Sequence, residues 1–110
     1  MTVITGTKDS FQKEALEQKG ILFVDFYADW CGPCKMTTPI IEQLSEEYKD
    51  KITFVKINVD AHQDLASQYS VFSIPTFIIF KAGKIITQLI GAHGKEGFIR
   101  EIKKTESVST

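Results

Sequence analysis

Trp30-Cys31-Gly32-Pro33-Cys34 holds the chain's only two cysteines and its only tryptophan. A nearly unbroken apolar run, Ile21 to Tyr27, leads into it, and a helix-period segment, Met36 to Tyr48, leads out. The dithiol therefore falls where a strand ends and a helix begins. A run as apolar as Ile21 to Tyr27 suits a strand covered on both faces, hence a central one. Pro33 fits the first turn of the helix that follows, where its missing N–H goes unused.

A Cys-x-x-Cys pair can close a small disulfide ring, bind a metal, or do each at different times. The thiolate is the reactive form. A helix start offers unpaired N–H groups and the positive end of the macrodipole, and both favour an anion. Cys31 sits at that end, so its pKa is expected to be lowered. Cys34 lies one turn further in and is expected to be the more buried partner. Gly32 leaves the approach to the sulfur clear. The pentapeptide reads as an accessible nucleophile backed by a resolving thiol.

Asp25 interrupts the apolar run. It is either an exposed acid on a polar face or a buried carboxylate with a raised pKa, able to move a proton. Ile52 to Val59 alternates as a second long strand, with Lys56 pointing away from most of its apolar residues.

The segment Phe26-Tyr27-Ala28-Asp29-Trp30-Cys31-Gly32-Pro33-Cys34-Lys35 resembles the active-site segment of the thioredoxin family. Asp25, Pro39, Ile74-Pro75-Thr76 and Gly91-Ala92 also fall where that family carries them, so the resemblance runs from about Val3 to Lys104. It implies an α/β thioredoxin fold: a central five-stranded mixed sheet in the order 1-3-2-4-5, flanked by four helices. It implies a cis Ile74–Pro75 bond facing the dithiol. It implies that Asp25 helps deprotonate Cys34 through water, with Lys56 close by, and that Trp30, Gly32, Pro33, Ile74, Pro75, Gly91 and Ala92 form the substrate rim.

The activity implied is general protein-disulfide reduction. Cys31 attacks, Cys34 resolves, and the Gly32-Pro33 pair resembles that of reducing members. The resemblance also implies that no cofactor is bound and that electrons come from NADPH through a partner thioredoxin reductase. Three positions depart from the common pattern. Tyr27 stands where many members have tryptophan, and Phe72 and Ser73 replace a residue that is commonly basic and a glycine. An exposed Phe72 would enlarge the docking surface.

At 110 residues the chain is read as one domain, 1–110, with residues 105–110 a frayed tail. Its net charge of -1 gives no electrostatic case for nucleic acid or an acidic membrane. No apolar run reaches membrane-span length, the first residues lack the pattern of an export signal, and two cysteines at this spacing suit a cytosolic redox pair, so a cytoplasmic setting is expected; a monomer is expected as well.

Elsewhere, Val3 and Ile4 suit a short strand. Asp9 or Ser10 is expected to cap a helix from Phe11 to about Lys19 that buries Phe11, Ala15 and Leu16. Met36, Ile40, Leu44 and Tyr48 form an apolar stripe read as core, and Pro39 within it predicts a kink. Asp60 to Tyr69 reads as a short helix. Thr76 to Phe80 and Ile85 to Ile90 form a hairpin, whose Ala82 argues against a turn with two positive φ angles. Gly94 to Lys104 forms the last helix.

Three other readings use the same residues. Cys31 and Cys34 with His62 and His93 would make a zinc ligand count, but neither histidine has zinc-site spacing, so no metal is expected. A structural or binding subunit of a larger assembly needs no dithiol. A narrow-specificity thiol oxidoreductase, such as an oxidase or isomerase, would more often carry a histidine between the cysteines.

Overall fold

Alternation along each strand decides what the sheet buries. The strands β1 (Val3–Thr5), β2 (Ile21–Tyr27), β3 (Ile52–Asn58), β4 (Thr76–Lys81) and β5 (Lys84–Ile90) form one sheet in the order β1-β3-β2-β4-β5. The computed structural model describes residues 3–7, 9–11, 13 and 20–109. β2 is central. It pairs parallel with β3 and antiparallel with β4, while β1 runs parallel to β3 and β5 antiparallel to β4. The expected mixed sheet and strand order are both present.

Helices α1 (Gly32–Glu47), α2 (Gln63–Gln68) and α3 (Lys95–Glu106) pack on this sheet. Residues 9–11 and 13 belong to a further helix between β1 and β2. Thr7 caps it, in place of the expected Asp9 or Ser10. The Thr7 hydroxyl accepts the Ser10 N–H at 3.2 Å, and the Ser10 hydroxyl accepts the Thr7 N–H at 2.8 Å. That reciprocal exchange is a capping box, and it starts the helix earlier than a cap at Asp9 or Ser10 would. Ala15, Leu16 and the helix end near Lys19 lie outside the described residues.

Each face of β2 feeds its own core. Leu22, Val24 and Phe26 join Phe11, Val55, Ile57, Leu65 and Phe80 on one side. Ile21 and Phe23 join Ile41 and Leu44 of α1 and Phe98 and Ile102 of α3 on the other. Phe23 stacks on Phe54 at 4.9 Å, and Phe77 meets Phe98 edge-on at 4.7 Å. Burying one such ring contributes roughly 2–3 kcal/mol. The two-residue period then fixes Asp25: it shares a face with Ile21 and Phe23, the face that α1 covers.

Three expectations need correction. The buried face of α1 is Cys34, Thr37, Ile41, Leu44 and Ser45, whereas Met36 is exposed and Ile40 only half-buried. A strict four-residue stripe drifts round a helix of 3.6 residues per turn, so Met36 rotates off the core while Cys34 is carried inward. The inward Thr37 is accommodated because its hydroxyl donates to the Cys34 carbonyl at 3.0 Å. α1 runs on unbroken through Pro39.

The hairpin is the second. Lys81 pairs with Lys84, leaving a two-residue loop in which Ala82 has φ 53° and Gly83 φ 79°. Both angles are positive, the geometry whose twist matches the flanking strands. The Ala82 N–H also donates to the Gly20 carbonyl at 3.2 Å, which helps hold Ala82 in the left-handed region.

The third concerns the C-terminus. Thr105, expected in a frayed tail, is buried, and α3 continues to Glu106. Lys81 accounts for this: its ammonium donates to the Thr105 carbonyl at 3.2 Å and the Glu106 carbonyl at 3.0 Å. A cation there satisfies end carbonyls and complements the helix dipole.

Lys56 faces away from Val55 and Ile57, as expected; it shares its face of β3 with Ile52 and Phe54 and stands directly opposite Asp25 in register.

Candidate functional site

Cys31 is the N-cap of α1. Its backbone is extended (φ -83°, ψ 112°), and its Sγ accepts the Cys34 N–H at 3.1 Å. A side-chain oxygen usually fills this role; here sulfur does. Gly32 and Pro33 form the exposed first turn, and Cys34 points inward from it. The two cysteines are joined as a disulfide, with Cα atoms 5.3 Å apart.

Cys34 is not the more buried of the two. Cys31 is 3% exposed and Cys34 4%. In the disulfide each sulfur covers the other, and Ala28, with the half-buried Tyr27, Val59 and Ile74, packs around the pair. What separates the cysteines is position: Cys31 at the cap, Cys34 within the helix.

Trp30 is 70% exposed, and its indole Nε1–H donates to Asp60 Oδ2 at 2.8 Å. Asp60 is itself fixed by a turn in which Asn58 Oδ1 accepts its N–H at 2.9 Å. The ring is thus held outside the core beside the cysteines. Nothing in the local pattern around Asp60 signals this contact, which joins residues 30 apart.

The Ile74–Pro75 bond is cis. Ile74 touches the cysteine cluster, while Pro75 is buried and its carbonyl accepts the Gly91 N–H at 2.8 Å. Gly91 has φ 90°, where a side chain is strained although space is open around it. Ala92 beside it is exposed. Of the expected rim, Trp30, Gly32, Pro33 and Ala92 are exposed, Ile74 and Gly91 half-buried, and Pro75 beneath them. Phe72, two residues before Ile74, is 87% exposed.

Asp25 is 7% exposed, and its Oδ1 has no hydrogen-bond partner among the described residues. It lines a cavity of about 60 Å³ with Tyr27, Lys56, Val3, and Thr38, Ile41 and Glu42 of α1. Burial pushes its pKa from 3.8 up to about 7, against the opposing pull of the Lys56 ammonium. A carboxyl poised there can hold or release a proton near neutrality. Lys56 Nζ also lies 5.7 Å from the centre of the Tyr27 ring. Burial raises the Tyr27 phenol pKa, helped by Asp29 and Asp25 and opposed by a hydrogen bond with Asn58.

Sequence reasoning missed the part of Tyr27, Thr38 and Glu42 in this pocket. A helix-phase count from Cys34 would have brought out Thr38 and Glu42, one and two turns on. The histidines do not join the cysteines: His93 lies by the Ile90 carbonyl and the Phe98 ring. Among the described residues, no group of three or more His, Cys, Asp or Glu could hold a metal ion, and no helix is long and apolar enough to cross a membrane.

Comparison with known proteins agrees with this geometry. The family model Thioredoxin matches residues 2–104. The chain is 44% identical over 96 residues to a thioredoxin of Chlorobaculum thiosulfatiphilum, covering 87% of this chain and 89% of that one. It is 40% identical over 104 residues to a thioredoxin of Bacillus subtilis, covering 94% and 98%. It is also 41% identical over 96 residues to a chloroplastic M-type thioredoxin of Chlamydomonas reinhardtii, covering 87% and 69%.

Proposed function

The chain belongs to the thioredoxin family and is a thiol–disulfide oxidoreductase with a redox-active Cys31–Cys34 pair, and from that premise we propose that it is a general protein-disulfide reductase. The observation that carries the reading is a disulfide at the start of α1, with an exposed apolar rim on one side and a buried acid under the same helix.

In the dithiol form, Cys31 thiolate attacks one sulfur of the substrate disulfide. A mixed disulfide forms and the other substrate sulfur leaves as a thiolate. Asp25 carboxylate takes the Cys34 proton, through water in the 60 Å³ cavity. Cys34 thiolate then attacks Cys31 Sγ, which releases the second substrate thiolate. Two electrons have passed to the substrate, and the chain is left as the Cys31–Cys34 disulfide. Lys56 favours the ionised Asp25. Trp30, Ile74, Pro75, Gly91 and Ala92 receive the substrate segment, and Gly32 and Pro33 keep the couple reducing.

The partner that restores the dithiol is a thioredoxin reductase drawing on NADPH, and the setting is the cytoplasm. The test is insulin reduction by dithiothreitol with and without the protein. Acceleration that vanishes in Cys31→Ser supports the reading. No acceleration by folded protein with both thiols free would overturn it.

A further inference from the structure

Tyr27 stands at the junction of three things. Its side chain packs against the Ala28–Cys31–Cys34 cluster. It lines the cavity that contains Asp25. Its ring lies 5.7 Å from Lys56 Nζ, within cation–π range. Its phenol is tied to Asn58, its register partner on β3. Packing against the cysteine cluster and the cavity wall, rather than the phenol oxygen, sets the ring's place.

Lys56 is the flexible member. Its ammonium rides on a four-carbon stem, and the residue is only half-buried. Asp25 Oδ1 receives no hydrogen bond from the described residues. The stabilisation that Asp25 draws from a cation thus depends on where one mobile charge rests, because Coulomb energy varies with distance and local dielectric. Glu42 lines the same cavity from α1 and is the other acidic residue there. From β4, the register partner of Asp25 is Phe77, which carries no charge.

We propose that Tyr27 is a positioning residue whose ring holds the Lys56 ammonium beside Asp25. The ring sets the pH at which Asp25 can take the Cys34 proton, so the inference rests on Asp25 being that acceptor. It also gives the tyrosine a task distinct from filling space next to the disulfide.

The test is a ¹³C NMR titration of the Asp25 carboxyl in the oxidised protein, which involves no turnover. Tyr27→Phe keeps the ring and should leave the midpoint in place. Tyr27→Leu should raise it by about half a pH unit or more, as the cation is released to solvent. In a Lys56→Met background the same leucine should raise nothing. Tyr27→Met serves equally if the leucine variant does not fold. A midpoint that stays put, or moves alike in both backgrounds, would overturn the proposal and leave the ring as packing. Full turnover by Asp25→Asn is a separate result, and it would overturn the reading of Asp25 on which this rests.

Discussion

Asp25 and Lys56 are register partners on β2 and β3, yet Asp25 Oδ1 is buried without a hydrogen-bond partner among the described residues. Desolvation therefore outweighs the cation, and the carboxyl titrates at about 7.

That shift has a sign for stability. Between 3.8 and about 7 the folded chain keeps a proton on Asp25 that the unfolded chain has lost. The group's stabilising contribution is complete below the lower value and is lost as pH rises through the upper one. Asp25→Asn should thus match the parent at roughly pH 4 and exceed it by on the order of 3 kcal/mol at roughly pH 8. Urea unfolding at both pH values reads this directly. A gap that does not widen with pH would refute the assigned shift.

Asp60→Ala should free the Trp30 indole from its hydrogen bond to Asp60. Steady-state anisotropy of the lone tryptophan is expected to fall. The rate constant for protein-disulfide reduction should drop about fivefold, the equivalent of one hydrogen bond used to hold the docking ring. Unchanged anisotropy would mean that the ring is held by packing instead.

Among the described residues, two non-glycine residues occupy left-handed backbone positions. Ala82 has φ 53° in the hairpin, and Ser70 has φ 57° just past α2, where the Val71 N–H donates to the Ala66 carbonyl at 2.8 Å. The second is a Schellman ending that glycine usually supplies. Ala82→Asn and Ser70→Gly should each stabilise the fold by about 0.5–1 kcal/mol, additively because the sites share no partner. Thermal melts check both.

Gly6→Ala should do the opposite. A Cβ there would lie 2.6 Å from Val55 Cγ1 and 3.2 Å from Ile57 Cγ1. Both neighbours are themselves buried in the sheet, so the clash should cost about 1–3 kcal/mol. A neutral result in a denaturant titration would show that β1 can shift away from β3.

Phe72→Arg should slow reduction of protein disulfides flanked by apolar residues by about tenfold, as an exposed ring is removed from the docking side. Reduction of a small-molecule disulfide should hardly change. Equal rates on two unrelated protein substrates would show that Phe72 takes no part in docking.

The sheet order was legible through a resemblance, but its strands were legible from pattern alone. Ile21 to Tyr27 is a nearly unbroken apolar run and Ile52 to Val59 alternates, and the strands Ile21–Tyr27 and Ile52–Asn58 lie where those patterns place them. Asp25 stood out because a carboxylate interrupted that run. Two misreadings share one cause: each was settled by a partner distant in the chain. Ala82 adopts a positive φ with Gly20 accepting its N–H. Thr105 is buried with Lys81 on its carbonyl. Trp30 is exposed, as expected; its hydrogen bond to Asp60 is the part that no local pattern showed. Met36 was misplaced for a local reason, since a four-residue count drifts from the true helical phase. Local spacing identified the chemistry at the cysteines, while the contacts that hold it ready were set by the fold.

The cap of α1 is a sulfur atom of the redox couple itself, because Cys31 Sγ accepts the Cys34 N–H at 3.1 Å. A thiolate is a stronger acceptor than a disulfide sulfur. The two oxidation states therefore differ in how firmly the first turn of the helix is held. By closure of a thermodynamic square, the difference between their unfolding free energies equals the difference between the couple's free energy in the folded and in the unfolded chain. Denaturing each form and equilibrating the folded and unfolded chains with glutathione measure opposite sides of that square. A substitution that alters the cap must appear on both.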